Sequence, residues 1–239
     1  MKAILLAAGR GTRISRMIDD VPKSTLSING EPLIRRTVKM LLAHDIQIVV
    51  CTGYQEQKIR SALKELPVTF YYNPFFDITN SLASLWLARE ELDGENTIIM
   101  NADVFLCHDI LDMILNNRDE NVMAIDKTRT AVGDYFFKTL DNDCIAKYGK
   151  DLPLAERTGE YVGIAKVSSK FVPHFKKRME EMIHAQKHSY WWENVMYSFA
   201  DDGEKDIHTM DVNGLFWAEI DYFDDYERIL NYVKGSEGE

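Results

Sequence analysis

The sequence predicts an α/β protein built on a doubly wound, mostly parallel sheet, with an inserted β/α subdomain. In the first half of the chain, short runs rich in Val, Ile and Leu alternate with segments whose apolar residues recur every three or four positions. This alternation indicates strands that are joined by right-handed crossover helices. After Asp126 the pattern changes to a hairpin, further strands and helices, which indicates the inserted part.

The strands and helices before residue 127 follow from this periodicity. The strands are short apolar runs at 2–6, 46–52, 68–72, 97–101 and 122–126. The helices are segments with apolar residues at helical spacing, at 32–44, 55–66, 80–91 and 108–117. Pro32 stands at the start of the first helix, where its fixed φ suits the helical backbone.

The part after Asp126 is predicted to be mixed. A hairpin or meander covers 132–147, and a strand covers 161–168. Ser169 is predicted to cap a helix that has Pro173 in its opening turns and runs to about residue 185. Aromatic residues at 190–192 lead into a second helix, strands follow at 207–211 and 216–220, and a helix at 222–233 closes the chain.

Composition excludes several classes of protein. The 239 residues are 46% hydrophobic and 28% charged, as in ordinary globular domains. The net charge of −10, from 28 Lys and Arg against 38 Asp and Glu, argues against a nucleic acid polymer as partner. Cys51, Cys107 and Cys144 offer neither a disulfide framework nor a CxxC metal pair. No apolar run approaches the roughly 18 residues of a membrane span, so we expect a cytoplasmic protein without a membrane partner.

A loop containing glycine and arginine follows the first strand. It reads Leu6-Ala7-Ala8-Gly9-Arg10-Gly11-Thr12-Arg13 and is followed by Pro22-Lys23. Small residues at a strand end let backbone N–H groups approach a nucleotide closely. Arg13 offers a fork of donors for triphosphate oxygens, and Lys23 offers a mobile point charge. The spacing matches neither the P-loop nor the dinucleotide fingerprint, and a lone Gly-x-Gly also occurs as a simple turn.

Three carboxylates stand at the ends of predicted strands. Asp103 follows the strand at 97–101, at the edge where open α/β sheets bind ligands. Glu219 and Asp221 are two positions apart, so their side chains point to the same face of a strand. Such oxygen ligands suit Mg²⁺, which prefers one or two carboxylates together with phosphate oxygens. Taken singly, Asp103 and Asp221 are also explained as N-caps of the helices that follow them.

Aromatic residues are dense in the second half of the chain. Those beside Glu193 and Glu219 are Tyr190, Trp191, Trp192, Phe216 and Trp217, and Tyr135 follows Asp134. Aromatic faces together with carboxylates recognise a quaternary ammonium group. A single aromatic residue belongs more often to the core, and we expect at least Trp217 or Phe216 to do so.

Further motifs extend this pattern: Asn80-Ser81-Leu82-Ala83-Ser84-Leu85-Trp86-Leu87, Asn101-Ala102-Asp103, Trp192-Glu193-Asn194 and Trp217-Ala218-Glu219-Ile220-Asp221. Together with 2–23 they resemble the nucleotidyltransferases that activate sugar phosphates and choline phosphate, and most of all the bacterial CTP:phosphocholine cytidylyltransferase branch. The resemblance covers most of the chain. It implies a single Rossmann-like nucleotidyltransferase domain at 1–239, with a nucleotide-binding half at 1–126, an acceptor-binding half at 127–221, and a closing helix and tail at 222–239.

The resemblance also implies roles for the matching residues. Lys23 and Arg13 would be catalytic, and CTP would contact Leu6, Ala7, Ala8, Gly9, Gly11, Thr12, Arg13, Lys23 and Ala102. Mg²⁺ would be held by Asp103, Glu219 and Asp221. The acceptor would contact Asn80, Tyr135, Trp191, Trp192, Glu193 and Glu219. Tyr135 and Trp191 stand where the branch has a tryptophan and a tyrosine, an exchange that keeps aromatic faces but changes the shape of the pocket.

The implied function is the Mg²⁺-dependent transfer of CMP from CTP to phosphocholine with release of pyrophosphate, by a monomer or homodimer. Another small zwitterionic phosphate or phosphonate, 2-aminoethylphosphonate or phosphoethanolamine, is the first alternative acceptor. Glu193, Asp134 and Asn80 would then accept hydrogen bonds from a primary amine, although Asn80 is also a candidate N-cap. A sugar-1-phosphate acceptor and a catalytically silent nucleotide-sensing module are further alternatives.

Overall fold

A mixed sheet runs through the molecule, and helices pack on both of its faces. The structure is a computed structural model that describes residues 1–11 and 21–236. Its strands are β1 (Lys2–Ala7), β2 (Ser27–Ile28), β3 (Glu31–Pro32), β4 (Gln47–Thr52), β5 (Val68–Tyr72), β6 (Thr97–Asn101), β7 (Val104–Leu106), β8 (Asn121–Asp126), β9 (Phe136–Thr139), β10 (Ile145–Gly149), β11 (Gly159–Val167), β12 (His208–Asp211) and β13 (Trp217–Glu219). Its helices are α1 (Leu33–Leu42), α2 (Glu56–Ala62), α3 (Ser81–Leu87), α4 (His108–Asn116), α5 (Val172–His184), α6 (Glu193–Asp202) and α7 (Phe223–Ser236).

The sheet has a parallel side and an antiparallel side. Strands β6, β1, β4 and β5 are parallel neighbours in that order. On the other side, β11 runs antiparallel to both β6 and β8, and β12 lies parallel to β8. The hairpin of β9 and β10 pairs with the first residues of β11. The predicted α/β class with a doubly wound, mostly parallel sheet is confirmed, and β11 joins the second half of the chain to it.

Both faces of the sheet are buried. Ala3 and Leu5 of β1 pack on the face that α1, α2 and α4 cover, whereas Ile4 and Leu6 pack on the face that α3, α5 and α6 cover. A central parallel strand with two buried faces needs apolar residues at every position. This burial explains why β1 is a continuous apolar run.

The local predictions need one correction and some additions. Ser169 does not cap the helix, because α5 begins at Val172 and the hydroxyl of Ser168 accepts a hydrogen bond from the Phe171 N–H at 3.3 Å. Phe171 stands at the N-cap position of α5, and Ser168 and Phe171 close a turn directly after β11. The sequence does not predict β2, β3 or β7, since strands of two or three residues carry no readable alternation.

A small sheet brings the end of the chain back to the centre. Strand β13 pairs antiparallel with β7, so that Glu219 lies opposite Val104, and the Ile220 N–H donates to the Asp103 carbonyl at 3.0 Å. Trp217 is buried, as expected, and its indole N–H donates to Asp126 at 2.9 Å. These contacts hold residues 219–221 beside the carboxyl end of β6.

The helices formed by residues 21–236 do not include one with the length and hydrophobicity of a membrane-spanning segment.

Gly163 is a position where a side chain should destabilise the fold. It lies in β11 with φ +90°, and a Cβ there would stand 2.7 Å from Cγ2 of the buried Val104. We expect Gly163→Ala to lower the free energy of unfolding by about 3 kcal/mol, because a strained backbone and overpacking each cost roughly 1–3 kcal/mol. Chemical denaturation measures the loss.

Gly94→Ala is the matched control for this substitution. Its φ is +93°, and nothing lies within 4 Å of the added Cβ, so only the backbone penalty applies. An equal loss of stability in the two variants would mean that the contact with Val104 does not restrict Gly163.

Candidate active site

A cavity of about 390 Å³ opens at the carboxyl ends of β1 and β6. Most of the residues predicted for the site line it: Leu6, Ala7, Ala8, Gly9, Gly11, Lys23, Asn80, Ala102, Asp103, Tyr135, Trp191, Glu193, Glu219 and Asp221. Thr12 and Arg13 lie outside the described residues. Trp192 does not line the cavity. Segments that are distant in sequence therefore meet at the edge of the sheet where parallel α/β folds bind ligands.

The glycine loop is shaped by the residues packed behind it. The carbonyl of Ala8 accepts a hydrogen bond from the Tyr54 N–H at 3.0 Å. A Cβ on Gly53 would stand 2.7 Å from that carbonyl oxygen, so Gly53 allows the loop to lie against the end of β4. Gly11 has φ +62°, and a Cβ there would stand 2.8 Å from Cγ and Cε of Lys23. The second glycine of the loop therefore leaves the space that the lysine side chain fills.

Lys23 lies among carboxylates at the floor of the cavity. A short 3₁₀ turn at Lys23–Thr25 follows Pro22 and directs the lysine inward. Its Nζ is 2.6 Å from Oδ1 of Asp221 and 3.4 Å from Oδ2 of Asp103. Burial opposes the charge of Lys23, but the negative charges of Asp103 and Asp221 outweigh it, so the pKa of Lys23 is raised.

Two of the carboxylates around Lys23 have raised pKa values. Burial and the charge of Asp221 raise the pKa of Asp103, although Lys23 acts in the opposite direction. Burial, followed by the charges of Asp103 and Asp221, raises the pKa of Glu219 well above its usual range. A cluster of hard oxygen donors of this kind fits a divalent cation such as Mg²⁺. Asp103, Glu219 and Asp221 are thus the residues that would hold one.

The geometry decides between the alternative roles of Asp103 and Asn80 and gives Asp221 a partner in Lys23. Asp103 does not cap α4, since that helix begins at His108 with Cys107 at the N-cap position. The carboxylate of Asp221 accepts from Lys23. Asn80 is the N-cap of α3, because its Oδ1 accepts from the Ser81 N–H at 2.8 Å, and it also lines the cavity.

Asn101 connects several groups of the site, although it is absent from the predicted residues. Its Nδ2 donates to Glu193 Oε1 at 3.2 Å and to Glu219 Oε1 at 3.5 Å. Its Oδ1 accepts from the indole N–H of Trp192 at 3.0 Å. Asn101 belongs to the Asn101-Ala102-Asp103 motif at the end of β6, but the sequence assigns no role to its side chain. Asn101 therefore fixes the relative positions of two carboxylates.

Trp192 does not reach the cavity, contrary to the prediction that it contacts the acceptor. The Trp192 side chain is fully buried beneath the cavity, where its indole N–H is bound to Asn101 and its backbone N–H donates to Ser81 Oγ at 2.9 Å. Helix α6 starts at the next residue, so Trp191 and Trp192 point in different directions. Trp192 orients Asn101 and does not form part of the cavity wall.

Two buried polar groups face the upper part of the cavity. Burial raises the pKa of Glu193 to about 7, although hydrogen bonds from its own backbone N–H and from Asn101 act in the opposite direction. Within the described part of the chain, no basic side chain forms an ion pair with Glu193. The hydroxyl of Tyr161 is buried and has no hydrogen-bond partner among the described residues. Such groups are positioned to interact with a polar ligand.

Aromatic rings form the adjoining wall. Trp191 and Tyr135 pack edge to face with ring centroids 5.9 Å apart, and Tyr135 stacks on Tyr197 at 5.6 Å. Tyr197 is buried and lies parallel to Tyr148, with centroids 4.2 Å apart. This packing holds the Trp191 and Tyr135 rings beside Glu193, in the same cavity as Lys23.

Replacing Lys23 tests whether its ammonium group balances the carboxylates. Lys23→Met leaves Asp103 and Asp221 without their shared cation, so we expect the free energy of unfolding at neutral pH, without added metal, to fall by about 3 kcal/mol. The loss should become smaller toward about pH 5, because protonation of the carboxyl groups removes their repulsion. Denaturation at the two pH values measures both effects.

Lys39→Met is the control for this change. Lys39 forms a 2.5 Å ion pair with Glu31 on the surface, and such exposed pairs contribute at most about 1 kcal/mol. If both variants lose the same free energy of unfolding, Lys23 stabilises its carboxylates no more than an exposed ion pair would.

Comparison with known proteins agrees with this arrangement. The chain is 25% identical to the choline-phosphate cytidylyltransferase of Streptococcus pneumoniae, over 98% of this chain and 99% of that protein. It is 23% identical to the CTP:phosphoglutamine cytidylyltransferase of Campylobacter jejuni, over 95% and 98% of the two chains. It is also 23% identical to the 2-aminoethylphosphonate cytidylyltransferase of Lancefieldella rimae, over 92% and 87%.

Solved structures share the fold. The CTP:phosphocholine cytidylyltransferase of Streptococcus pneumoniae superposes with a TM-score of 0.79 at 21% identity, covering 97% of this chain and 98% of that chain. The inositol-1-phosphate CTP transferase of T. maritima gives a TM-score of 0.78 at 19% identity, covering 98% and 96%. Residues 3–185 match the family of MobA-like NTP transferase domains. With its glycine loop, lysine and carboxylates in one cavity, the chain belongs to that family and is a nucleotidyltransferase.

Proposed function

We propose that this protein transfers CMP from CTP to phosphocholine and releases pyrophosphate. The observation that carries the proposal is the cavity in which Lys23, Asp103 and Asp221 lie below the aromatic rings of Tyr135 and Trp191. One end of this cavity suits the phosphates of a nucleotide, and the other suits an ammonium group. The cytidylyltransferases among the relatives support the choice of CTP.

The nucleotide would lie against the carboxyl end of β1. Backbone groups of the loop at 6–11 and of Ala102 would contact the pyrimidine and ribose, since small residues expose the backbone there. Contacts of Thr12 and Arg13 with the triphosphate stay predictions. The assignment of 1–126 to the nucleotide, 127–221 to the acceptor and 222–239 to a closing helix and tail is part of the same proposal.

The reaction would be an in-line displacement. An oxygen of the acceptor's phosphate attacks the α-phosphorus of CTP, and the bond to pyrophosphate breaks. Because this oxygen is already anionic, the mechanism requires no general base. Lys23 would neutralise charge on the reacting phosphates and hold them in line. Asp103, Glu219 and Asp221 would hold Mg²⁺, which supplies further neutralisation of phosphate charge when it is bound.

The acceptor's ammonium group would lie against the aromatic wall. The faces of Trp191 and Tyr135 attract a cation, and the buried carboxylate of Glu193 adds Coulomb attraction. Aromatic faces in place of hydroxyl-binding groups disfavour a sugar-1-phosphate. A silent nucleotide sensor is also disfavoured, since binding alone does not require several carboxylates around Lys23. Location in the cytoplasm and a monomeric or homodimeric state stay predictions.

A second acceptor class has one observation in its favour. Tyr161 and Glu193 both line the cavity, and each side chain carries an oxygen that can accept a hydrogen bond. A trimethylammonium group has no N–H to donate to them, whereas a primary ammonium group does. We therefore keep 2-aminoethylphosphonate and phosphoethanolamine as the alternative acceptors.

A grid of pyrophosphate-release assays tests the proposal. CTP and UTP are each combined with phosphocholine, phosphoethanolamine, 2-aminoethylphosphonate and glucose-1-phosphate, with and without Mg²⁺. We expect the highest rate with CTP, phosphocholine and Mg²⁺, and a kcat roughly 100- to 1,000-fold lower in Lys23→Met, the loss typical of one transition-state donor. Nucleotide binding without pyrophosphate release from any pair would favour the silent sensor, and near-normal turnover in Lys23→Met would refute its assigned role.

Trp191 should influence the acceptor and not the nucleotide. We expect Trp191→Ala to raise the KM for phosphocholine about tenfold, because a cation over an indole face gains roughly 1–2 kcal/mol when it is desolvated. The KM for CTP should change less than twofold.

Tyr190→Ala is the matched control for Trp191→Ala. Tyr190 is the preceding residue, it is 41% exposed against 40% for Trp191, and it does not line the cavity. If the two variants have the same KM for phosphocholine, Trp191 does not bind the acceptor.

A further inference from the structure

Lys150 places a positive charge inside the wall predicted to bind the acceptor's cation. It follows the last residue of β10 and lines the cavity. Its Nζ is 2.7 Å from Oδ2 of Asp134 and 5.4 Å from the centroid of the Trp191 ring. The sequence indicates no role for Lys150, since nothing local marks a hairpin lysine as part of a cavity.

The surroundings of this ammonium group match those expected for a bound ligand. A carboxylate contacts it, an indole ring lies within cation–π distance of it, and Tyr135 packs against that indole ring. A carboxylate and an aromatic face are the two kinds of group that attract an alkylammonium ion. Lys150 therefore already occupies a position that a cationic acceptor could use.

We propose that Lys150 is a specificity-determining residue, a tethered cation that competes with the acceptor's ammonium group for Trp191 and Asp134. This inference rests on the proposed function, because it concerns the acceptor end of the same cavity. An acceptor whose only charge at that end is an ammonium group must displace Lys150. An acceptor that carries a carboxylate beside its ammonium group can form an ion pair with Lys150 through that carboxylate.

The ion pair of Lys150 and Asp134 is exposed enough for a ligand to separate it. The side chains of Lys150 and Asp134 are 35% and 47% exposed, so solvent screens their ion pair and lowers the cost of separating it. Glu193, by contrast, is buried and forms no ion pair with the described residues. A cationic acceptor could pair with Glu193 directly, whereas at Asp134 and Trp191 it must replace Lys150.

Lys150→Met tests the competition directly, since it keeps an apolar stem and removes the charge. We expect the KM for phosphocholine to fall roughly five- to tenfold, with kcat within about twofold of the wild type, because the acceptor no longer displaces a cation. The KM for phosphoserine should rise instead, because its carboxylate loses a partner. Lys150→Arg should restore the wild-type order of acceptors.

The strand supplies a matched control for the charge change. Lys147 also lies in β10 and forms a 2.6 Å ion pair with Glu156, but it does not line the cavity. Lys147→Met should leave both KM values unchanged. The neutral isostere 3,3-dimethylbutyl phosphate should gain less affinity from Lys150→Met than phosphocholine does, because it carries no positive charge for Lys150 to repel.

A binding measurement separates failure of this inference from failure of the proposed function. Binding of tetramethylammonium is followed by the fluorescence of Trp191, and comparison with Trp191→Phe identifies the signal of that residue. The measurement requires no turnover. Tighter binding in Lys150→Met than in Lys147→Met supports competition, whether or not any acceptor is turned over. Equal or weaker binding of tetramethylammonium overturns the inference, and so does an unchanged or raised KM for phosphocholine in Lys150→Met. Absence of pyrophosphate release from every acceptor would count against the proposed function alone.

Discussion

The site depends on one electrostatic contact, between the Lys23 ammonium group and carboxylates from distant parts of the chain. Nζ lies 2.6 Å from Asp221 and 3.4 Å from Asp103, and Glu219 adds a further negative charge. Among the described residues, Lys23 is the cation that contacts these carboxylates, and hard oxygen donors of this kind suit a divalent cation. The contacts of Lys23 join the glycine loop, the end of β6 and the end of β13 into a single site.

The sheet brings Lys23 and these carboxylates to one edge of the molecule. Parallel strands β1 and β6 end at the same edge of the sheet, which places the glycine loop beside Asp103. Strand β13 reaches that edge by pairing with β7. Gly11 then leaves room for the Lys23 stem. On the antiparallel side, the hairpin of β9 and β10 and the start of α6 complete the cavity, and the proposed acceptor would bind there.

Local sequence signals predict the part of the site that lies at strand ends. The loop at 6–11 and Asp103 are recognisable because a buried strand, its glycines and its terminal carboxylate are adjacent in sequence. Trp192 is predicted wrongly, since composition does not distinguish its buried direction from that of Trp191 at the start of a helix. Asn101 and Lys150 are missed for a related reason. Their side-chain partners, Glu193 and Asp134, are about 90 and 16 residues away in sequence, and only tertiary packing brings them near.

The central claim is that these carboxylates and the nucleotide's phosphates share one divalent ion. Electron paramagnetic resonance of Mn²⁺, measured with a non-hydrolysable CTP analogue present, tests it most directly. The account predicts that Mn²⁺ bound to the wild type gives a spectrum distinct from that of the Mn²⁺–nucleotide complex alone. This protein-bound spectrum should be lost in Asp221→Asn and kept in Asp224→Asn, since Asp224 lies in the first turn of α7 and does not line the cavity. Undiminished binding of Mn²⁺ by Asp221→Asn would contradict the account.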